Sequence, residues 1–133
     1  MIVDSSVWVG FLSGADDPEV LLLKHALETK NPVWILPVIL REVLQGADSE
    51  HRFARWSKPL SAVPALVSGD AMRTNRDAAL LYARCRWAGV TPRSANDCLI
   101  AQSAIEANLP LLHRDRDFTR IAAVDNRLRL IPI

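Results

Sequence analysis

What most constrains this chain is its rhythm: short apolar runs are followed, within a few residues, by segments whose apolar positions recur every three or four places. Met1 to Val3 is a strand stub that runs into Asp4-Ser5-Ser6, side chains suited to cap a helix through Trp8 and Phe11. Asp17-Pro18-Glu19 sets a cap, a proline at the first helical position and an acid in the first turn. Val20, Leu23, Ala26 and Leu27 then form the stripe of a helix that ends near Lys30. Val33 to Leu36, β-branched and aromatic, fits a buried strand, after which Pro37 opens a helix that Gly46 can close. Asp48 to Pro59 reads as helical, and Ala62 to Val67 as a weak strand interrupted by Pro64. Asp70 to Trp87 is a long helix with Ala71, Ala78, Leu81, Tyr82 and Cys85 on one side, terminated by Gly89 and Pro92. Ser94 to Asn108 is a helix headed by an S-x-x-D pattern, Leu109 to Leu112 a strand, Phe118 to Ala123 a short helix and Leu128 to Ile131 a last strand. Such alternation predicts an α/β fold whose parallel sheet carries helices on both faces.

A length of 133 residues suits one domain spanning 1–133, because two cores would each be too small to bury enough surface. With 50% hydrophobic and 23% charged residues the composition is that of a globular chain and not of a disordered one. The longest apolar run, Pro32 to Leu40, is broken by Pro37 and falls well short of the roughly 20 residues that span a bilayer, so no membrane crossing is expected. Asp4 stands where a signal peptide needs basic residues, and no cleavage site follows a long apolar stretch, which predicts a cytoplasmic protein. Cys85 and Cys98 lack CxxC or Cys/His neighbours and read as packing residues.

The acids carry the functional content. In an open α/β sheet, ligands bind beyond the carboxyl ends of the strands; Asp4 follows the first strand stub and Asp115 follows Leu112. Glu42 lies inside its helix beside the apolar stripe of Val38 and Ile39, and Asp97 heads a face made of Ile100, Ala101 and Ala104. A carboxylate held against a core is costly unless it is paired, hydrogen-bonded or bound to a metal, and several carboxylates together suit Mg2+ or Mn2+. Each acid has a simpler alternative duty. Asp4 can cap the first helix, Asp97 can complete a capping box with Ser94, and Asp117 can cap a helix beginning at Phe118. Glu42, in mid-helix, has no capping duty, although an arginine partner could account for it.

Four segments together carry a resemblance: Asp4-Ser5-Ser6-Val7-Trp8, Leu36-Pro37 to Glu42, Asn96-Asp97-Cys98-Leu99-Ile100-Ala101, and Leu111-Leu112-His113-Arg114-Asp115-Arg116-Asp117-Phe118. In order and spacing they resemble the signatures of PIN-domain ribonucleases, and the size resembles the toxin of VapBC-type toxin–antitoxin pairs. The resemblance implies a three-layer α/β/α sandwich, divalent-metal-dependent RNA cleavage, a homodimer and a small antitoxin protein as partner. By position, Asp4, Glu42, Asp97 and Asp115 match the family's acidic core, Asp117 an additional acid, and Ser6 a residue that supports the first Asp. The chemistry implied is phosphodiester hydrolysis aided by Mg2+, with Asp4, Asp97 and Asp115 as direct ligands and Glu42 holding or activating a water. The stretch from Asp48 to Trp87 matches no family motif and is where substrate choice is expected to be encoded.

A formal net charge of +1 is small for an RNA binder, but setting aside the five candidate acids leaves ten Asp and Glu against 16 Lys and Arg. Arg73, Arg76, Arg84, Arg86 and Arg93, with Arg114, Arg116 and Arg120 around the acids, are therefore candidates for phosphate contacts, and Arg84, Arg86, Arg114 and Arg116 head that group. Trp56 and Trp87 are the tryptophans available to stack on bases, whereas His113 reads as a structural residue at a strand end. Two other classes compete. Asp115 to Thr119 resembles the DxDxT signature of aspartyl-phosphate phosphatases, although only 14 residues follow. A non-catalytic interaction module would use the same acids to hold a basic partner.

Overall fold

In the computed structural model, which describes all residues from Met1 to Ile133, the backbone hydrogen bonds of the first strand decide the architecture. β1 (Ile2–Val3) pairs in parallel with β2 (Leu111–Leu112), in the register Ile2 to Leu111 and Val3 to Leu112. On its other side Ile2 bridges in parallel to Trp34, Ile35 bridges to Ala65, and Leu111 bridges outward to Leu130. Read across the sheet, the extended segments run Ala65, Trp34-Ile35, β1, β2, Leu130, all parallel, so the chain order reverses between β1 and β2. This is the doubly wound arrangement, and the reversal point is where such sheets open a crevice.

Seven helices surround the strands: α1 (Ser5–Leu12), α2 (Pro18–Glu28), α3 (Pro37–Gln45), α4 (Glu50–Ser61), α5 (Ala71–Trp87), α6 (Ala95–Ala107) and α7 (Arg116–Val124). Their ends follow local chemistry. The Asp17 carboxylate accepts from the Val20 amide at the start of α2, Ser49 from Arg52 at the start of α4, and Asp70 from Arg73 at the start of α5. At the end of α5, Gly89 takes φ +81°, its amide donates to the Arg86 carbonyl, and the Val90 amide donates to the Cys85 carbonyl. That paired return satisfies carbonyls that the helix would otherwise leave open. Asn108 closes α6 in the same left-handed conformation.

The expected α/β class and parallel sheet hold, with corrections at the edges. Only β1 and β2 are regular strands; Val33 to Leu36, Ala62 to Val67 and Leu128 to Ile131 contribute bridges instead of full strands. Pro64, which argues against a strand by sequence, sits on the outer edge, where its carbonyl accepts the Ile35 amide and its missing N–H costs no ladder bond. Gly46 ends α3 at φ −84°, so its conformational freedom is not what stops the helix. The last helix begins at Arg116, before the expected Phe118.

The core lies between the sheet and the helices, where Ile2, Val3, Leu111 and Leu112 are fully buried with Trp8, Leu23, Ile39, Leu81, Ile100 and Phe118 around them. Both cysteines are free and buried within it, as packing residues. No helix is long and apolar enough to cross a membrane.

Candidate active site

The carboxyl ends of β1 and β2 deliver the first two acids. Asp4 is the residue after β1, and its amide donates to the Leu112 carbonyl at 2.9 Å, which keeps it level with the end of β2. Three residues beyond β2, Asp115 occupies the N-cap of α7, its carboxylate accepting the Asp117 amide at 2.9 Å. Asp97 lies in the first turn of α6 and Asp117 in the first turn of α7. Acids at helix N-termini meet the positive end of the backbone dipole, which offsets part of the cost of gathering them.

Three of these carboxylates, Asp97, Asp115 and Asp117, offer oxygens that all lie within 4.8 Å of one another. Asp4 falls outside that trio but stands close enough that its charge raises the pKa of both Asp97 and Glu42. The five acids therefore form one electrostatic unit, with Asp97 at its centre.

Asp97 is only 8% exposed. Burial pushes its pKa up to about 7, and the neighbouring charges of Asp4, Asp115, Glu42 and Asp117 push in the same direction, with no hydrogen bond opposing them. The capping-box explanation fails for it: the Ser94 hydroxyl accepts the Asn96 amide at 3.2 Å, and the Asp97 side chain makes no reciprocal bond. Asp4 is also buried and raised in pKa by burial, against the pull of the Ser6 hydroxyl, which donates to it at 3.0 Å. Asp4 stands at the N-cap of α1, yet its carboxylate makes no capping bond there. Glu42 is half-buried, its Oε1 is enclosed without a hydrogen-bond partner, and burial together with Asp4 raises its pKa. No arginine pairs with it within ion-pair distance.

Asp117 differs from the rest. It is 1% exposed, and its Oδ2 accepts both the Arg93 amide at 3.0 Å and Arg93 Nε at 3.1 Å, while Arg120 Nη1 lies 3.5 Å from Oδ1. These partners, the Arg93 amide first, hold its pKa below the usual carboxylate range. It does not cap a helix beginning at Phe118; Asp115 has that duty. Arg93 also reaches Asp115, with Nη2 donating to Oδ1 at 2.7 Å. Arg93, a candidate phosphate contact by sequence, takes partners that nothing local signals, 22 and 24 residues away in the chain.

The other candidates are scattered. Arg114 Nη1 donates to Asp17 at 2.7 Å, tying the loop after β2 to the start of α2. Arg116 is exposed at the first residue of α7, and Arg84 and Arg86 are exposed on the last turn of α5, where Arg84 lies beside Asp125. His113 is structural, as expected: its Nδ1 lies 2.8 Å from the Asp115 carbonyl, and its ring packs edge-on against Phe118. Trp56 is a correction. At 4% exposure it belongs to the core, with Arg52 over its ring, and it cannot stack on a base; Trp87, at 71%, can. Thr119 is exposed on α7.

The donor set is all carboxylate oxygen, and its central member is buried without a partner, which is the chemistry a hard divalent cation satisfies. The PIN domain family profile matches residues 1–124. The chain belongs to the PIN-domain family. Among similar proteins, VapC ribonuclease Mb1587 of Mycobacterium bovis is 32% identical over 127 residues, covering 95% of this chain and 94% of that one. Ribonuclease VapC11 of Mycobacterium tuberculosis matches to the same extent. The PIN domain also superimposes on a chain of VapBC2 from Rickettsia felis, solved bound to a DNA fragment from its promoter. The TM-score is 0.76 at 21% identity, over 98% of this chain and 96% of that chain, a likeness of fold.

Proposed function

We propose that this PIN domain is a Mg2+-dependent endoribonuclease, with Mn2+ able to replace Mg2+, and that it is the toxin of a toxin–antitoxin pair. The observation that carries the reading is Asp97: a buried carboxylate with no hydrogen bond, among four other acids, at the reversal point of a parallel sheet. Its relatives named as VapC ribonucleases support the choice of RNA and of a toxin. Asp97 and Asp115 would hold the ion, with Asp4 completing the set and Asp117 in a supporting role. A divalent ion there supplies charge to offset the phosphate and lowers the pKa of a water.

The chain's own groups do the rest. The Ser6 hydroxyl fixes one oxygen of Asp4, so its carboxylate keeps one orientation. Glu42, with an unpartnered oxygen and a pKa raised by burial and by Asp4, is suited to take a proton from the attacking water. Arg114 on the loop after β2, Arg116 at the head of α7, and Arg84 and Arg86 with Trp87 at the end of α5, would meet the RNA backbone and an unstacked base. The partners of this reading are RNA, a small antitoxin protein and a second copy of the chain in a homodimer, in the cytoplasm.

Cleavage of total RNA by the purified protein tests it. Cleavage is expected with Mg2+ and not with EDTA or in Asp97→Asn; cleavage that ignores both chelation and the substitution would sink the mechanism. For the toxin assignment, expression of the chain alone should arrest growth, and co-expression of the small protein encoded beside it should restore growth. Harmless expression of an active, folded chain would count against it.

A further inference from the structure

The acidic cluster already has a cation in it, and that cation belongs to the loop joining α5 to α6. Arg93 spans two of the three clustered carboxylates, Nη2 on Asp115 at 2.7 Å and Nε on Asp117 at 3.1 Å, while its own amide holds Asp117 at 3.0 Å. With Arg120 near the other oxygen, Asp117 has both oxygens engaged; Asp97, facing the same space, has none.

We infer that Arg93 is a built-in competitor for this site, a counter-ion that a divalent cation must displace from Asp115 and Asp117 before it binds fully. The inference rests on the metal reading given above and adds to it a determinant of affinity that lies outside the acids.

Three features make displacement feasible. The side chain of Arg93 is 72% exposed, so it leaves into water and not into a packed wall. Its main-chain bond to Asp117 does not involve the guanidinium, so the loop stays pinned when the side chain departs. The pair with Asp115 is open to water on both sides and so is weak, and Asp117, though buried, keeps the Arg93 amide and Arg120 when the guanidinium leaves, so the competition is modest and reversible, not a block. The guanidinium cannot lose its charge near neutral pH, so it withdraws only by moving. In moving it carries a fixed positive charge from the acids toward the rim, where a phosphate would arrive.

Calorimetric titration of the metal-free protein at pH 8 with Mn2+ tests this on the wild type, Arg93→Gln and Arg93→Lys. Arg93→Gln should bind roughly two- to fivefold more tightly, the range expected from losing a competing exposed ion pair. Arg93→Lys, which keeps the charge but not the two-point fork, should fall between. Equal or weaker binding by Arg93→Gln would overturn the inference while leaving the metal reading intact; absence of Mn2+ binding in all three would overturn both. A second measurement needs no variant. In the 15N spectrum of the wild type, the Arg93 Nε–H should be protected from exchange without metal and lose that protection as Mg2+ is added. Protection that persists at saturating Mg2+ would also overturn it.

Discussion

The Asp4 amide donates to the Leu112 carbonyl at 2.9 Å, and through that bond the two chain segments that carry the first acids leave the sheet side by side. Asp4 enters α1 directly, whereas three more residues bring Asp115 to the head of α7. Chain order reverses between β1 and β2, the point at which doubly wound sheets open a crevice. Asp97 reaches the same crevice from the first turn of α6.

The metal-free protein should lose stability as pH rises across the range in which Asp97 ionises. Its folded pKa, about 7, lies above the ordinary 3.8, so the native state binds the extra proton. The stabilisation is complete below about pH 4 and gone above about pH 7, with a span on the order of 4 kcal/mol. Asp4 and Glu42 act in the same direction, and Asp117, whose pKa is lowered, acts in the opposite one. Urea denaturation of wild type and Asp97→Asn at several pH values isolates the Asp97 part. The variant should gain on the wild type between pH 4.5 and 8, and a pH-independent difference would refute the assignment.

Divalent cations should raise the melting temperature at pH 8 and do so less at pH 5, where Asp97 holds its proton. At a hundred times the dissociation constant the ligand adds about 2.7 kcal/mol, several degrees for a chain of this size. Differential scanning fluorimetry with Mg2+, Mn2+ and EDTA measures it, and Asp97→Asn should remove most of the shift.

Phe118 is fully buried between α7 and the sheet, next to His113, so Phe118→Ala should cost about 3–5 kcal/mol. Trp87→Ala should change stability by less than about 0.5 kcal/mol, since the ring stands in solvent. If RNA stacks on Trp87, that substitution weakens RNA binding while the melting curve stays in place; binding that is unaffected would remove Trp87 from the interface.

Gly10 is where α1 and α2 come close. A Cβ there would lie 2.9 Å from Val20 Cγ2 and 3.1 Å from Arg114 Nη1. Gly10→Ala should therefore destabilise by about 1–3 kcal/mol and loosen the Arg114 bond to Asp17. Equilibrium unfolding of Gly10→Ala and of Gly10→Ala with Arg114→Ala separates the two effects.

The features legible along the chain are local. The Asp17-Pro18 start of α2, the Gly89 return after α5 and the apolar stripes of the long helices depend on residues within a turn of one another, so spacing is enough to read them. The positions of Asp4 and Asp115 after strands were legible for the same reason, and the four motifs in order carried the family. Tertiary structure decided everything that joins distant segments. Ile35 with Ala65 and Leu111 with Leu130 pair at single points, too brief for a strand pattern to register. Trp56 is buried in the core, although the polar and aromatic stretch around it carries no sign of that burial. The division of labour among the acids is tertiary as well: Asp97 is left bare and pushed to a pKa of about 7, while Asp117 is claimed by Arg93 from 24 residues away. Burial and the field of neighbouring charges are properties of where chain segments meet, and no spacing along one segment encodes them.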